Sequence, residues 1–229
     1  MRENIKVVAF DADDTLWANE IYFQETENEF CNLLKEYLPK DEISKELLKT
    51  EMQNISIYGY GIKGFALSMI ETALRISENK ISPHIISQII ELEKELLNKP
   101  VKILEGVNDV LNSMSKRFKL VVATKGDLLD QERKLTKSGL QDYFDHIEIM
   151  SDKKNEDYQK LMKQLKSNPN EFLMIGNSLK SDILPILEIG GYAAYIPYHV
   201  TWSHEKVDND ISHPHFMQLN QITDILEYL

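Results

Sequence analysis

The segment Asp11-Ala12-Asp13-Asp14-Thr15-Leu16 places three carboxylates within four positions, directly after the apolar run Ile5-Lys6-Val7-Val8-Ala9-Phe10. Like charges this close repel, and at the end of a buried strand each must be desolvated or matched by a cation. A bound divalent metal, together with a chemical task for the carboxylates, accounts for them. The spacing suits Asp11 as a nucleophile and Asp13, two residues on, as a proton donor above it. The plainer alternative is a loop in which Asp11 or Asp13 caps a turn or a helix.

The elements that must position these residues are legible along the chain. Residues 5–10 read as a strand. From there to Pro100 no convincing strand follows, and residues 20–38, 41–57, 63–78 and 83–98 read as helices. The last is the clearest: Ile85, Ile86, Ile89, Ile90, Leu92, Leu96 and Leu97 recur at helical spacing between the start signal Ser82-Pro83 and the stop signal Asn98-Lys99-Pro100. Beyond Pro100 helix and strand alternate, with helices at 106–116, 128–138, 155–166, 180–189 and 219–228 and strands at 119–123, 146–150, 171–175 and 192–196. Near-continuous apolar strands separated by helices predict an α/β fold, a Rossmann-like doubly wound parallel sheet covered on both faces. The first strand then belongs with the second half of the chain. The expected domains are 1–16 with 100–229 as the catalytic core, and 17–99 as an inserted α-helical domain.

The net charge of −11 argues against nucleic acid as a partner, since such surfaces are usually basic. It leaves room for a small phosphorylated substrate, which responds to the local field of its pocket. Cys31 is the only cysteine, so an internal disulfide is impossible and a reducing cytoplasm is expected. No apolar run approaches membrane-span length, and Met1-Arg2-Glu3-Asn4 does not read as a secretory leader. A monomer is the expected state.

In parallel α/β sheets, ligands sit beyond the carboxyl ends of the strands. The strand ends here deliver Asp11, then Thr124-Lys125-Gly126-Asp127, then Ser151-Asp152-Lys153-Lys154, then Gly176-Asn177-Ser178 with Asp182 slightly downstream. Each piece alone is unspecific. Thr124 suits a helix cap, Lys153 a solvated surface, and Gly-Asn-Ser a common turn.

The ordered set resembles the haloacid dehalogenase superfamily, whose four motifs run Asp-x-Asp-x-Thr, Thr or Ser, Lys, and an acidic cluster after Gly. The resemblance spans nearly the whole chain, and the pattern is similar to the phosphatase branch with a helical cap inserted after the first motif. It implies a nucleophile at Asp11 and a general acid/base at Asp13. Thr124, with Lys125 beside it, would bind the transferring phosphoryl group. Lys153, or else Lys154, would neutralise phosphate and nucleophile. Asp11, Asp13, Asn177 and Asp182 would form the Mg²⁺ side. Asn177 departs from the pattern, because many relatives carry Asp there. An amide oxygen still ligates Mg²⁺ but contributes no charge, so either Asp182 compensates or the metal binds more weakly.

The inserted helices are expected to close over the site as a cap and set specificity. Within them Tyr58-Gly59-Tyr60-Gly61-Ile62-Lys63-Gly64-Phe65 reads as a loop needing special backbone angles, with Lys63 a candidate contact to the substrate's non-transferred end. A packing loop with a solvated Lys63 is the alternative. His199 and His204, in the aromatic stretch 197–205, suit a loop near the site better than a second metal. The resulting expectation is a Mg²⁺-dependent phosphatase of a small phosphate monoester, working through an aspartyl-phosphate. The rivals are a phosphomutase on the same fold, a dehalogenase or phosphonatase, and a non-catalytic metal- or phosphate-binding relative.

Overall fold

A computed structural model describes residues 4–200, 202–205 and 211–229. Met1–Glu3, on which the expectation about a leader rests, and Thr201 of the aromatic stretch lie outside the described residues. The chain divides into two compact units. One comprises the chain up to Glu20, Val101–Lys125 and Glu132–Leu229; the other comprises Ile21–Pro100 with Gly126–Gln131.

The first unit is built on a six-stranded, all-parallel sheet. Its strands are β1 (Val7–Phe10), β2 (Lys119–Lys125), β3 (His146–Met150), β4 (Phe172–Gly176), β5 (Tyr192–Tyr195) and β6 (Phe216–Gln218), in the order β3-β2-β1-β4-β5-β6. Successive side chains alternate between the faces. Val8 and Phe10 join Val122, Ile175 and helix α5 (Val107–Met114) in one apolar cluster. Val7 and Ala9 join Val121, Met174 and helix α7 (Asn155–Leu165) in another. Burial on both faces makes these strands apolar throughout and so visible in the sequence. The three-residue β6 was not foreseen, and the expected helix at 219–228 is a 3-10 helix over Ile222–Glu227.

The second unit consists of α1 (Glu20–Leu33), α2 (Lys40–Tyr58), α3 (Ile62–Ile76) and α4 (Pro83–Leu97) around Phe30, Leu34, Ile43, Leu47, Phe65, Met69 and Ile89. Helix α1 belongs to this unit from Ile21 onward. Helix α4 begins as its sequence requires: Ser82 Oγ accepts from Ile85 N at 3.3 Å, and Pro83 occupies the first turn. Gly126–Gln131 packs with these helices because Gly61 sits directly on it. A Cβ at Gly61, where φ is +108°, would stand 2.6 Å from Asp127 N. Lys63 adds an ion pair to Asp127 at 2.9 Å.

Candidate active site

The strand order reverses between β1 and β4, and the first motif, with Asp11, and the fourth, with Asn177, follow those neighbouring strands. The register pairs Phe10 with Ile175, and Asp11 N donates to Ile175 O at 2.9 Å. Asp11 therefore stands beside the Gly176-Asn177 turn, while on its other side β1 pairs with β2, which ends in Thr124 and Lys125.

Asp11 is buried, and Lys153 Nζ donates to its Oδ1. The same ammonium donates to Asp182 Oδ1 at 2.7 Å. Asp182 Oδ2 in turn accepts from Ser178 N at 3.0 Å. Of the two candidate lysines, Lys153 is the one that reaches Asp11. Lys154 is exposed, pairs with Asp152, and stands at the start of α7. Burial alone would lower the Lys153 pKa, but Asp11 and Asp182 hold it well above the usual lysine range. Burial pushes the Asp11 carboxyl up to about 7, against the pull of Lys153 and with a further push from Asp182. One ammonium facing two buried carboxylates leaves a negative charge uncompensated, which is the situation a cation relieves.

The short approach of Asp182 explains Gly176. A Cβ there would lie 2.3 Å from Asp182 Oδ2. It also explains why the helix expected at 180–189 opens with a π turn, Leu179–Ile183, before α8 (Leu184–Glu188). Asp182 N donates to Ser178 O at 2.9 Å within that turn. Both Asp182 oxygens are thus engaged by Lys153 and Ser178, so the structure groups this residue with the lysine.

On the other side of Asp11 its carboxylate, the Asp13 carbonyl and the Asn177 amide meet. The Asn177 side-chain oxygen lies 3.2 Å from Thr15 Oγ1, and the same amide position lies 3.2 Å from Asp11 Oδ2 and from the Asp13 carbonyl oxygen. In the orientation its neighbours satisfy, the Asn177 amide nitrogen donates to all three, and turning the amide over would present its oxygen beside Asp11 Oδ2 and the Asp13 carbonyl instead. Octahedral Mg²⁺ with ligands at ~2.1 Å holds neighbouring oxygens ~3 Å apart, so this donor set fits it. Among the described residues no cluster of three or more His, Cys, Asp or Glu could hold a metal, so the fit rests on an amide and a main-chain carbonyl beside a single carboxylate.

The Asp13 side chain points to different partners. Its Oδ1 accepts from Trp17 Nε1 at 2.7 Å, and Lys134 Nζ, on helix α6 (Leu128–Ser138), approaches its two oxygens at 2.7 and 2.8 Å. Asp14, the third carboxylate of the motif, is structural. At φ +61° it accepts from Asn19 N at 2.8 Å and from Glu20 N at 3.0 Å, holding the start of α1, and burial pushes its carboxyl up to about 7.

Thr124 is buried at the end of β2. Lys125 is committed elsewhere than expected: its Nζ donates to Ser181 Oγ at 2.8 Å and to Glu205. Glu205 also accepts from Ser178 and Ser181 hydroxyls; although burial raises its pKa, Lys125 and these bonds draw it down to about 2. Lys63 lies in the helical unit, 57% exposed at its side chain and paired with Asp127. His204 sits beside Lys180 and Trp202. Sequence reasoning missed Trp17, Lys134 and Glu205 and did not single out Ser178 within its turn. Trp17, four residues after Asp13, carried the only local signal.

The family description haloacid dehalogenase-like hydrolase matches residues 5–190, and the chain belongs to that family. A haloacid dehalogenase-like hydrolase structure from Xanthomonas campestris is 36% identical, with a TM-score of 0.88 over 98% of this chain and 91% of that one. A HAD-hydrolase from Bacillus subtilis, described as bound to magnesium, is 16% identical with a TM-score of 0.68 over 99% of each chain. A 2-haloacid dehalogenase from Pseudomonas syringae is 18% identical with a TM-score of 0.65 over 97% of each chain. At these lower identities the likeness is one of fold. Among proteins of curated function, none matches the sequence. The chain is therefore a hydrolase with a Rossmann-like HAD fold. Among the described residues no helix is long and apolar enough to cross a membrane.

Proposed function

We propose that this hydrolase is a Mg²⁺-dependent phosphatase acting on a small phosphate monoester through an aspartyl-phosphate on Asp11. The observation that carries the reading is the division of labour around Asp11: Lys153 on one side of its carboxylate, the Asp13 carbonyl and the Asn177 amide on the other, and a second carboxylate two residues along. Asp11 attacks phosphorus, the ester oxygen departs, and Asp13 protonates it. Asp13 then activates the water that hydrolyses the acyl phosphate. Lys153 offsets charge on the transferring group, and the buried Thr124 at the end of β2 supplies a hydroxyl to it. Asp182 positions Lys153. Bound at Asp11, the Asp13 carbonyl and Asn177, Mg²⁺ would supply further charge neutralisation.

The helical unit serves in this reading as a specificity cap. Lys63 is its candidate for the substrate's non-transferred end, because an exposed ion pair such as Lys63–Asp127 is worth only ~0–1 kcal/mol and exchanges readily for a substrate anion. A dehalogenase is the second reading, favoured by the structural neighbours that carry that activity in their descriptions. The acid at Asp13 favours the phosphatase, since a hydrolytic dehalogenase needs neither a leaving-group acid nor a metal.

Titrating Mg²⁺ against phosphate release from a panel of small phosphorylated metabolites tests this reading, with Asn177→Asp run in parallel. Wild-type release is expected to require Mg²⁺ and to vanish in EDTA. Asn177→Asp adds charge beside Asp11, so its half-saturating Mg²⁺ concentration should fall while its thermal midpoint in EDTA drops through carboxylate repulsion. Full phosphate release in EDTA would remove the metal from the mechanism.

A further inference from the structure

Lys134 enters the site from a part of the chain that carries no motif. It lies on α6, which starts three residues after β2 ends. The helix start is fixed by Asp127, whose Oδ1 accepts from Asp130 N at 3.1 Å and whose carbonyl accepts from Gln131 N at 2.9 Å. One turn further on, Lys134 Nζ lies 2.7 and 2.8 Å from the two Asp13 oxygens and 3.1 Å from Asn19 Oδ1. The two side chains are only 14% and 22% exposed, so the contact is not a solvated surface pair.

Asp13 has two separate tasks in this geometry. Its main-chain carbonyl faces the Asn177 amide beside Asp11. Its side chain is held on the other side of the residue by Trp17 and Lys134. The carbonyl is fixed by the backbone of the loop, where Asp14 N donates to Trp17 O at 2.7 Å and Leu16 N to Ala12 O at 2.8 Å. The carboxylate is not: one torsion about Cα–Cβ carries it through three staggered positions. Trp17 supplies one donor to one oxygen, which leaves rotation about that contact open. The Lys134 ammonium, close to both oxygens, closes it.

We propose that Lys134 is a positioning residue that selects the Asp13 side-chain conformation from which the carboxylate serves the leaving oxygen. This rests on the phosphatase reading above. The proton path is unchanged by it: Asp13 gives its proton to the ester oxygen as the phosphorus–oxygen bond breaks, and regains one from the attacking water. Lys134 acts through Asp13, whose two carboxylate oxygens it contacts.

The consequence is selective. An alkyl ester needs its leaving oxygen protonated, whereas nitrophenolate departs without a proton. Displacing a catalytic group by about 1 Å costs on the order of 100-fold, and general acid catalysis supplies about 10²- to 10⁴-fold.

The test measures the first chemical step by rapid quench for a simple alkyl phosphate and for para-nitrophenyl phosphate, in wild type, Lys134→Met and Lys134→Arg. Lys134→Met is expected to slow the alkyl ester by about 10- to 100-fold in kcat with little change in KM. It should slow the nitrophenyl ester by less than about threefold, because that ester does not draw on general acid catalysis. Lys134→Arg, which keeps the charge and two donors, should restore most of the alkyl rate. Equal slowing of both esters, or none in a protein whose wild type is active, overturns the proposal. Wild type inert toward both esters with Mg²⁺ overturns the phosphatase reading itself, and with it the role of Lys134.

Discussion

Asp11→Asn is expected to abolish turnover, by about 10⁴-fold or more, while the protein stays folded. An amide is a poor nucleophile, and nothing else near the strand end replaces it: Lys153 is protonated and Asp182 is bound to it. Stability should move the other way. Burial places the Asp11 pKa at about 7 in the folded chain against 3.8 ordinarily. Between those values the folded state holds more protons than the unfolded one, so stability in EDTA falls as pH rises from about 4 to about 7. Asp11→Asn removes that contribution. Its thermal midpoint in EDTA at neutral pH should exceed wild type, and its pH slope should be shallower. The slope will not vanish, because Asp14, also pushed up to about 7 by burial, acts with the same sign. Substantial steady-state turnover by Asp11→Asn would end the covalent mechanism.

Lys153→Met carries the second large effect, and it acts on stability and activity together. The Lys153 side chain is 1% exposed and faces Asp11 and Asp182, themselves 9% and 1% exposed. Breaking a buried ion pair by removing one partner costs about 3–5 kcal/mol, since the other charge is left without compensation. Here two like charges are left. In a chain of this size that corresponds to a thermal midpoint lower by on the order of 10 °C. Loss of a charge that neutralises the transferring group should slow turnover by about 10²- to 10³-fold. The double variant Lys153→Met with Asp182→Asn should recover much of the midpoint and none of the activity. A midpoint unchanged in the single variant would mean that the ammonium does not hold the two carboxylates together.

The sequence showed the sheet because its strands are buried on both faces. Val7–Phe10 and Leu120–Ala123 are apolar without interruption, as strands buried on both faces are. Phe216–Gln218 lies at the sheet edge with one buried residue of three, so it left no pattern. The strand ends marked Asp11, Thr124, Asn177 and the Lys153–Lys154 pair, but not which lysine turns inward. That choice is made in the turn before α7, where Lys153 N bonds Asp152 Oδ1 and Lys154 becomes the helix start. Lys125 follows Thr124 and so looked like a phosphate ligand, yet Glu205, distant in sequence, takes it. Lys134 was invisible for a related reason. It is one of several charges on α6, and only the packing of that helix beside the first loop distinguishes it from its neighbours.

The covalent intermediate is the centre of this account, and trapping it is the most direct test. Asp13→Asn should still accept phosphate on Asp11 from an activated ester but hydrolyse it slowly. Incubating that variant with Mg²⁺ and radiolabelled para-nitrophenyl phosphate, then quenching in acid, should leave label on the peptide that contains Asp11. Hydroxylamine should release the label, as it does from acyl phosphates, and protein carrying Asp11→Asn as well should take up none. Phosphate release by wild type, with no label on Asp11 in the Asp13→Asn protein, would contradict the mechanism.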